Sequence, residues 1–473
     1  MSKCCLLLLS VPSMSMSMSM LLRLRLLSCL ILSAMASTPP PSPTEPPPTQ
    51  PPPTEPPLIP GHPFVAIWNA RTEQCQRLDI PLDTSAFQAV TTPDSVPGQF
   101  LTIFYEDRLG LYPKMDLGRR ACRQGGVPQN GNLTAHLLRA RRQIHHDIAE
   151  DRSPGLAVID WESWRPLWAQ NWGAKRIYQR LSLASALQAS PFSSLNQIFR
   201  LAVDQFQSAA RSFMERTIRL GVGERPSRRW GFYLFPYCYN YDWDRDNYTG
   251  RCSAKARRQN RELLWLWERS TAFFPSVYLH PALRNSPRAA LYVRHRVREA
   301  LRVAALPKRR YTSPVYVYSR PLYRGQKGIF ESAVDLVSTV GESAALGAAG
   351  VVMWGGSSDY NDKASCQSLS DYLRSTLNPY LANVTAAAVL CSRALCQGRG
   401  RCVRRNYDAP VYLHLDAARF DILRADGKYV AVGLPSHQQR DAWARDFTCQ
   451  CYAGQECEPR LAPPPAAIQV IKV

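Results

Sequence analysis

Between residues 63 and 388, short apolar runs alternate with long stretches of helical periodicity, and this alternation limits the fold more than any other feature of the chain. The runs lie at 64–68, 101–105, 156–159, 231–235, 276–279, 315–318 and 351–354. Between them, residues 194–220 carry Leu195, Ile198, Leu201, Phe206, Phe213, Ile218 and Leu220 at helical spacing, and 291–305 and 331–349 read the same way. Strands that alternate with helices pair in parallel, because each return to the sheet consumes a crossover helix. Seven or eight such repeats over roughly 325 residues predict an α/β fold closed into a distorted, TIM-like (β/α) barrel over 61–388, with an open doubly wound sheet as the alternative. No glycine-rich phosphate loop follows the first run, which counts against a nucleotide-binding open sheet.

The chain changes character at both ends. Cys391, Cys396, Cys402, Cys449, Cys451 and Cys457 fall within 67 residues, the density of a small disulfide-stapled module of epidermal-growth-factor type over 389–458, made in an oxidising compartment. A long stretch, 403–448, separates its third and fourth cysteines and is expected to fold back on the barrel. The tail, 459–473, is polar and proline-rich, and its apolar stretch at 468–471 is too short for a glycolipid-anchor signal. At the other end, Arg23 and Arg25 precede an apolar run that closes on Ala34-Met35-Ala36, the order of a signal peptide over 1–36, with a signal anchor as the alternative. No other stretch reaches the ~18 apolar residues needed to cross a bilayer. Thirteen prolines between 38 and 60 predict a semi-rigid linker over 37–60, with the folded chain beginning near Pro63. Sequons at Asn132, Asn247 and Asn383 fit a secretory route that ends outside the cell, at its surface or in the lysosome.

A formal net charge of +21, three of it from Lys3, Arg23 and Arg25, favours a polyanionic partner: nucleic acid, anionic membrane or acidic polysaccharide. Scattered basic residues and the secretory route place nucleic acid last. The sharpest chemical feature is Gly155-Leu-Ala-Val-Ile-Asp160-Trp-Glu162-Ser-Trp164, an apolar strand running into two carboxylates at i and i+2. At that spacing side chains share one side of a strand, and the carboxyl ends of barrel strands form the active face. Two close acids, one in an aromatic setting such as Trp161 and Trp164 provide, raise one pKa and make a general acid. An acid pair binding a metal or a helix N-terminus is the equal alternative. Tyr233, Tyr278 and Trp354 end other strand runs and are the kind of residues on which sugar rings stack. Arg296 reads as one residue of a solvated basic helix face, and His280 and His295 as surface or packing residues. Nothing pairs a Ser or Cys with His and Asp at a recognisable spacing, so acyl transfer has no support.

The Ile159-Asp-Trp-Glu-Ser-Trp-Arg-Pro block resembles the signature of the animal hyaluronidases, glycoside hydrolase family 56. So do Trp230-Gly-Phe-Tyr-Leu-Phe-Pro with Cys238-Tyr-Asn, Asn247-Tyr-Thr-Gly-Arg-Cys252, and the block from Gly341-Glu-Ser to Met353-Trp354. The likeness covers about 61–457 and is greatest to the vertebrate hyaluronidase-2 type, which is usually glycolipid-anchored. It implies endo-hydrolysis of β-1,4 bonds after N-acetylglucosamine in hyaluronan, with chondroitin as a possible second substrate, at acidic pH and without metal or cofactor. By this resemblance Glu162 is the proton donor and the substrate's acetamido oxygen the nucleophile, an exception to the two-carboxylate scheme of retaining glycosidases. Asp160 would hold the acetamido group, Tyr233, Tyr278 and Trp354 would shape its pocket, and Asn69, Ser276 and Arg296 would line the cleft, Arg296 facing a substrate carboxylate. The resemblance also implies disulfides Cys75–Cys366, Cys238–Cys252, Cys391–Cys402, Cys396–Cys449 and Cys451–Cys457, with Cys122 left over. Tyr237 departs from the family, whose members usually carry Asp there, and keeps open a hyaluronan-binding protein with little or no catalysis.

Overall fold

The computed structural model describes residues 51–93, 96–465 and 467–473, so the expected signal peptide and most of the proline-rich linker lie outside the described residues. The described chain forms two compact units, one from residues 104–146 and 160–224, the other from 51–103, 147–159 and 225–473.

The second unit holds the barrel. Its strands, with one hairpin of the first unit between them in the chain, are β1 (Val65–Ala70), β2 (Ala89–Val90), β3 (Leu101–Tyr105), the hairpin β4 (Lys114–Asp116) and β5 (Ala121–Arg123), then β6 (Gly155–Asp160), β7 (Arg228–Phe232), β8 (Tyr316–Ser319) and β9 (Gly350–Gly355). One ladder runs β2-β1-β9-β8, all parallel, and another runs β3-β6-β7 with β6 and β7 parallel. Parallel strands covered on both faces read as continuous apolar runs, and every residue of β1 is buried. Parallel bridges Tyr233–Phe274, Phe273–Val315 and Ser276–Tyr318 join β7 to β8. The apolar run at 276–279 is therefore not a regular strand. Pro275 has no N–H to extend a ladder, and the stave is carried by bridges at 273–276 instead. Gly231 makes the close approach there, because a Cβ at that position would collide with Ala272 O.

Two expectations about the ends of this unit need correction. The folded chain starts before Pro63: Thr54, 2% exposed, donates its N–H to Cys451 O at 2.9 Å, and Thr312 N–H donates to Pro53 O at 2.8 Å. Polyproline-like backbone leaves donors and acceptors unspent, and strand edges at 312 and 451 take them up. Second, the 388/389 boundary falls inside one continuous helix, Asn378–Cys396, which carries Cys391 and Cys396 of the module on its last turns. The tail adds a strand: β14 (Gln469–Lys472) pairs antiparallel with β12 (Lys428–Gly433), which also pairs with β11 (Phe420–Ala425). Alternation in Gln469-Val-Ile-Lys places Ile471 inward, 3% exposed, and Val470 outward, 58% exposed.

In the module, β10 (Gly400–Arg404) pairs antiparallel with β13 (Phe447–Cys451), with Cys402 opposite Cys449. The inserted stretch folds back on the barrel unit, where Arg424 meets Asp83 at 3.2 Å. The disulfides are Cys75–Cys366, Cys238–Cys252, Cys391–Cys402, Cys396–Cys449 and Cys451–Cys457, with Cα separations of 4.6–6.1 Å. Cys122, in the first unit, enters no disulfide among the described residues.

The first unit packs the helices Arg176–Ala189 and Leu195–Glu224 around an aromatic core. Tyr112 lies 4.6 Å from Trp161 and 5.0 Å from Trp164, His136 meets Trp161 and Phe213 edge-on, and Phe206 contacts both Trp164 and Trp168. Burial holds His136 neutral, down to about 4, and its ring nitrogens meet Thr217 Oγ1 and Leu111 N at 2.8 Å.

Candidate active site

In Asp160-Trp-Glu162-Ser-Trp164 the two tryptophans are buried, 3% and 2% exposed, and root the turn in the aromatic core. Glu162 lies past the end of β6 and projects outward, with a side chain 50% exposed. The acids therefore do not share a strand face. Asp160 is enclosed as the last residue of the strand, and Glu162 is presented by the turn after it.

The Glu162 peptide is clamped on both sides. Its N–H donates to Glu106 Oε1 at 3.1 Å, and its carbonyl accepts from Arg165 Nη1 at 3.0 Å and from Lys175 Nζ. Ser163 adds its N–H (2.7 Å) and hydroxyl (2.6 Å) to the same Glu106 oxygen, while Glu106 Oε2 takes Lys114 Nζ at 2.7 Å. Arg165 Nη2 stands 3.7 Å from Glu162 Oε2.

Electrostatics separate these acids. Burial, reinforced by the Glu162 and Glu106 charges and only partly offset by Arg165, pushes Asp160 up to about 8. Its Oδ1 is buried with no hydrogen-bond partner among the described residues. Burial also pushes Glu106 upward, but hydrogen bonds from Lys114 and Ser163 and the Lys114 charge outweigh it and hold Glu106 below the usual range. Lys175 is drawn down to about 8 by burial and then by Arg165. The raised carboxyl is thus Asp160, whose setting is the enclosed strand end. Trp161 and Trp164 act as anchors beneath the turn.

The barrel unit brings together a second group. Tyr233 follows β7 with its N–H on Ile159 O at 2.9 Å. Its ring lies 6.4 Å from Tyr278 and 5.0 Å from Tyr318, and Tyr278 stacks on Trp354 at 5.9 Å and 14°. Arg320 lies over both Tyr278 (5.7 Å) and Trp354 (5.4 Å) and is held by Asp359 at 2.5 Å. Burial first, then Tyr233 and Tyr318, hold the Tyr278 phenol well above its ordinary value, so it is a hydrogen-bond donor at any working pH.

Asn69 is opposite Trp354 in the β1–β9 register and donates Nδ2 to Thr91 O and Oγ1, leaving its buried Oδ1 without a hydrogen-bond partner among the described residues. Arg296 is not on a solvated face. It is 8% exposed, lies 4.7 Å from the Tyr241 ring centre and 4.3 Å from that of Tyr292, and donates to Asn240 Oδ1 and Ser276 O. Its Nη2 is buried without a hydrogen-bond partner among the described residues. Tyr237 packs into aromatic core, 4.6 Å from Phe235 and stacked on Tyr239 at 5.0 Å. His280 stacks on Trp243, and burial lowers His295 to about 4. Asn132 and Asn247 are exposed; Asn383 is half-buried on its helix, with Oδ1 accepting from Leu415 N at 3.0 Å.

Sequence reasoning missed Glu106, Lys175, Arg165 and Arg320. Glu106 directly follows the apolar run at 101–105, and a carboxylate at the end of a barrel strand was the one signal that could have found it.

Residues 53–461 match the family model described as "Hyaluronidase". Hyaluronidase-2 of Homo sapiens is 45% identical over 410 residues, 84% of this chain and 86% of the relative. Hyaluronidase-5 of Mus musculus is 44% identical over 406 residues, covering 85% and 77%. Identities this close do not separate the subtypes. Among solved structures, bee venom hyaluronidase in complex with a hyaluronic acid tetramer is similar at TM-score 0.59 and 31% identity, covering 67% of this chain and 98% of that one.

Proposed function

Because the chain belongs to the hyaluronidase family, glycoside hydrolase family 56, we propose that it cleaves hyaluronan with Glu162 as proton donor and with the substrate's own acetamido group as nucleophile. The enzyme is a hyaluronoglucosaminidase acting on hyaluronan. The observation that carries the catalytic assignment is the contrast within the acid pair: Glu162 has a clamped peptide and an outward carboxyl, while Asp160 is enclosed and holds a proton up to about pH 8.

In the first step the acetamido oxygen attacks the anomeric carbon. The bond to the leaving oxygen breaks, and Glu162 gives that oxygen its proton. In the second, Glu162 takes a proton from water, whose oxygen attacks the same carbon, opens the oxazoline-type ring and restores the acetamido group with net retention. Asp160, with a buried oxygen that has no hydrogen-bond partner among the described residues, holds the acetamido group. Tyr233, Tyr278 and Trp354 shape its pocket, and Asn69, Ser276 and Arg296 contribute to the cleft. Five disulfides support maturation in the secretory pathway, and we propose the cell surface, the extracellular space or the lysosome as destination.

The test is hyaluronan chain length on a gel after incubation with the protein and its Glu162→Gln variant, with chondroitin in parallel. The wild type shortens the polymer, and the variant is slower by ~10²–10⁴-fold. A variant that cuts at the wild-type rate removes Glu162 from the donor role.

A further inference from the structure

The Glu162 peptide is gripped by an acid on one side and two bases on the other, and the acid has no part in the reaction just described. We propose that Glu106 is a positioning residue for that reaction: its carboxylate pins the 162–163 turn through Glu162 N–H, Ser163 N–H and Ser163 Oγ, and so fixes the direction in which Glu162 presents its proton. This rests on the reading of Glu162 as donor.

Glu106 directly follows β3 (Leu101–Tyr105). One of its oxygens accepts all three hydrogen bonds of the turn, at 3.1, 2.7 and 2.6 Å, and the other is occupied by Lys114 at 2.7 Å. With Lys114 bound, both carboxylate oxygens are engaged. Opposite it, Arg165 and Lys175 hold the Glu162 carbonyl, and Lys175 Nζ also reaches Ser163 O at 3.4 Å. The peptide plane is fixed from both edges while the side chain stays outside the grip. A misplacement of about 1 Å at a reacting group costs on the order of 10²-fold in rate, so such a pin has catalytic value beyond satisfying two N–H groups.

Glu106 also acts through its charge. The ionisable groups facing it are Lys114 from the β4 hairpin, Asp160, Glu162, Arg165 and Lys175 around the turn, and the phenols of Tyr112 and Tyr178. Its negative charge is among the influences that favour a proton on Asp160. Geometry and charge separate in two variants. Glu106→Gln keeps one carbonyl-type oxygen for the turn and loses the charge; Glu106→Ala loses both.

The experiment measures kcat and KM on hyaluronan oligosaccharides across pH for the wild type, Glu106→Ala, Glu106→Gln and Glu162→Gln. For Glu106→Ala the proposal expects kcat to fall ~10–100-fold with KM within about threefold. Glu106→Gln is expected to recover most of kcat, with the alkaline limb of its kcat/KM profile moved to lower pH. An unchanged kcat in Glu106→Ala overturns the proposal, as does an equal loss in both variants with an unmoved limb. If Glu106→Ala fails to fold, the limb of Glu106→Gln decides alone: a shift supports the proposal and no shift overturns it. Glu162→Gln tests the donor reading separately, since its full activity would sink that reading whatever Glu106 does.

Discussion

Asp160 sets the pH behaviour of the site. Burial first, then the charges of Glu162 and Glu106, raise its folded pKa to about 8, against about 3.9 in an unfolded chain. The folded protein holds this proton more tightly, so Asp160 contributes most to stability below about pH 4, and that contribution is lost as pH rises towards 8. Since the proposed reaction begins with a proton in the acid pair, kcat/KM on hyaluronan is predicted to fall as pH rises through about 8; a profile flat from 6 to 10 would refute it. Asp160 and Glu162 were legible because strand and turn are contiguous in sequence. Glu106 was not, because its hydrogen bond to Glu162 spans 56 positions. Arg296 was misjudged for a related reason. Helical periodicity places it on a basic face, but the rings of Tyr241 and Tyr292 and the acceptors of Asn240 and Ser276 bury it, and three of those four residues come from outside its helix.

Among the elements, the Gly341-Glu-Ser block owes its pattern to packing as much as to chemistry. Glu342, fully buried, accepts from Arg294 Nε at 2.7 Å and from both terminal nitrogens of Arg404. It thereby ties the helix Pro287–Ala304 and strand β10 to the helix Glu342–Ala345. Replacing Glu342 with Ala strands two buried guanidinium groups, and the predicted loss of stability is about 3–5 kcal/mol. Denaturant unfolding would read it, and a loss under 1 kcal/mol would contradict it. The alternating runs revealed the barrel, since parallel strands with both faces covered announce themselves in composition. The stave at 273–276 was misplaced because Pro275 and Gly231 decide it through backbone geometry rather than hydrophobicity. The strand at 469–472 was hidden because four residues carry too little pattern without their partner β12.

For the molecule as a whole, a net charge of +21, or +18 without Lys3, Arg23 and Arg25 of the expected signal peptide, faces a polymer with one carboxylate per disaccharide. Capture by counterion release predicts that kcat/KM on long hyaluronan falls linearly in log–log form with added salt. A rate indifferent to salt between 50 and 300 mM would remove charge from the account. The five disulfide pairings implied by family resemblance coincide with those in the structure, whereas the strap at 52–55 could not be foreseen from a proline-rich stretch. That strap bears on the order of synthesis. Gln450 Nε2 donates to Pro52 O across 398 positions, and Thr54 bonds to Cys451. At roughly 5–20 residues per second, a ribosome needs about 20–80 s to travel that distance. Thr312 gives the strap its first partner within that interval, and Gln450 and Cys451 complete its hold only at the end.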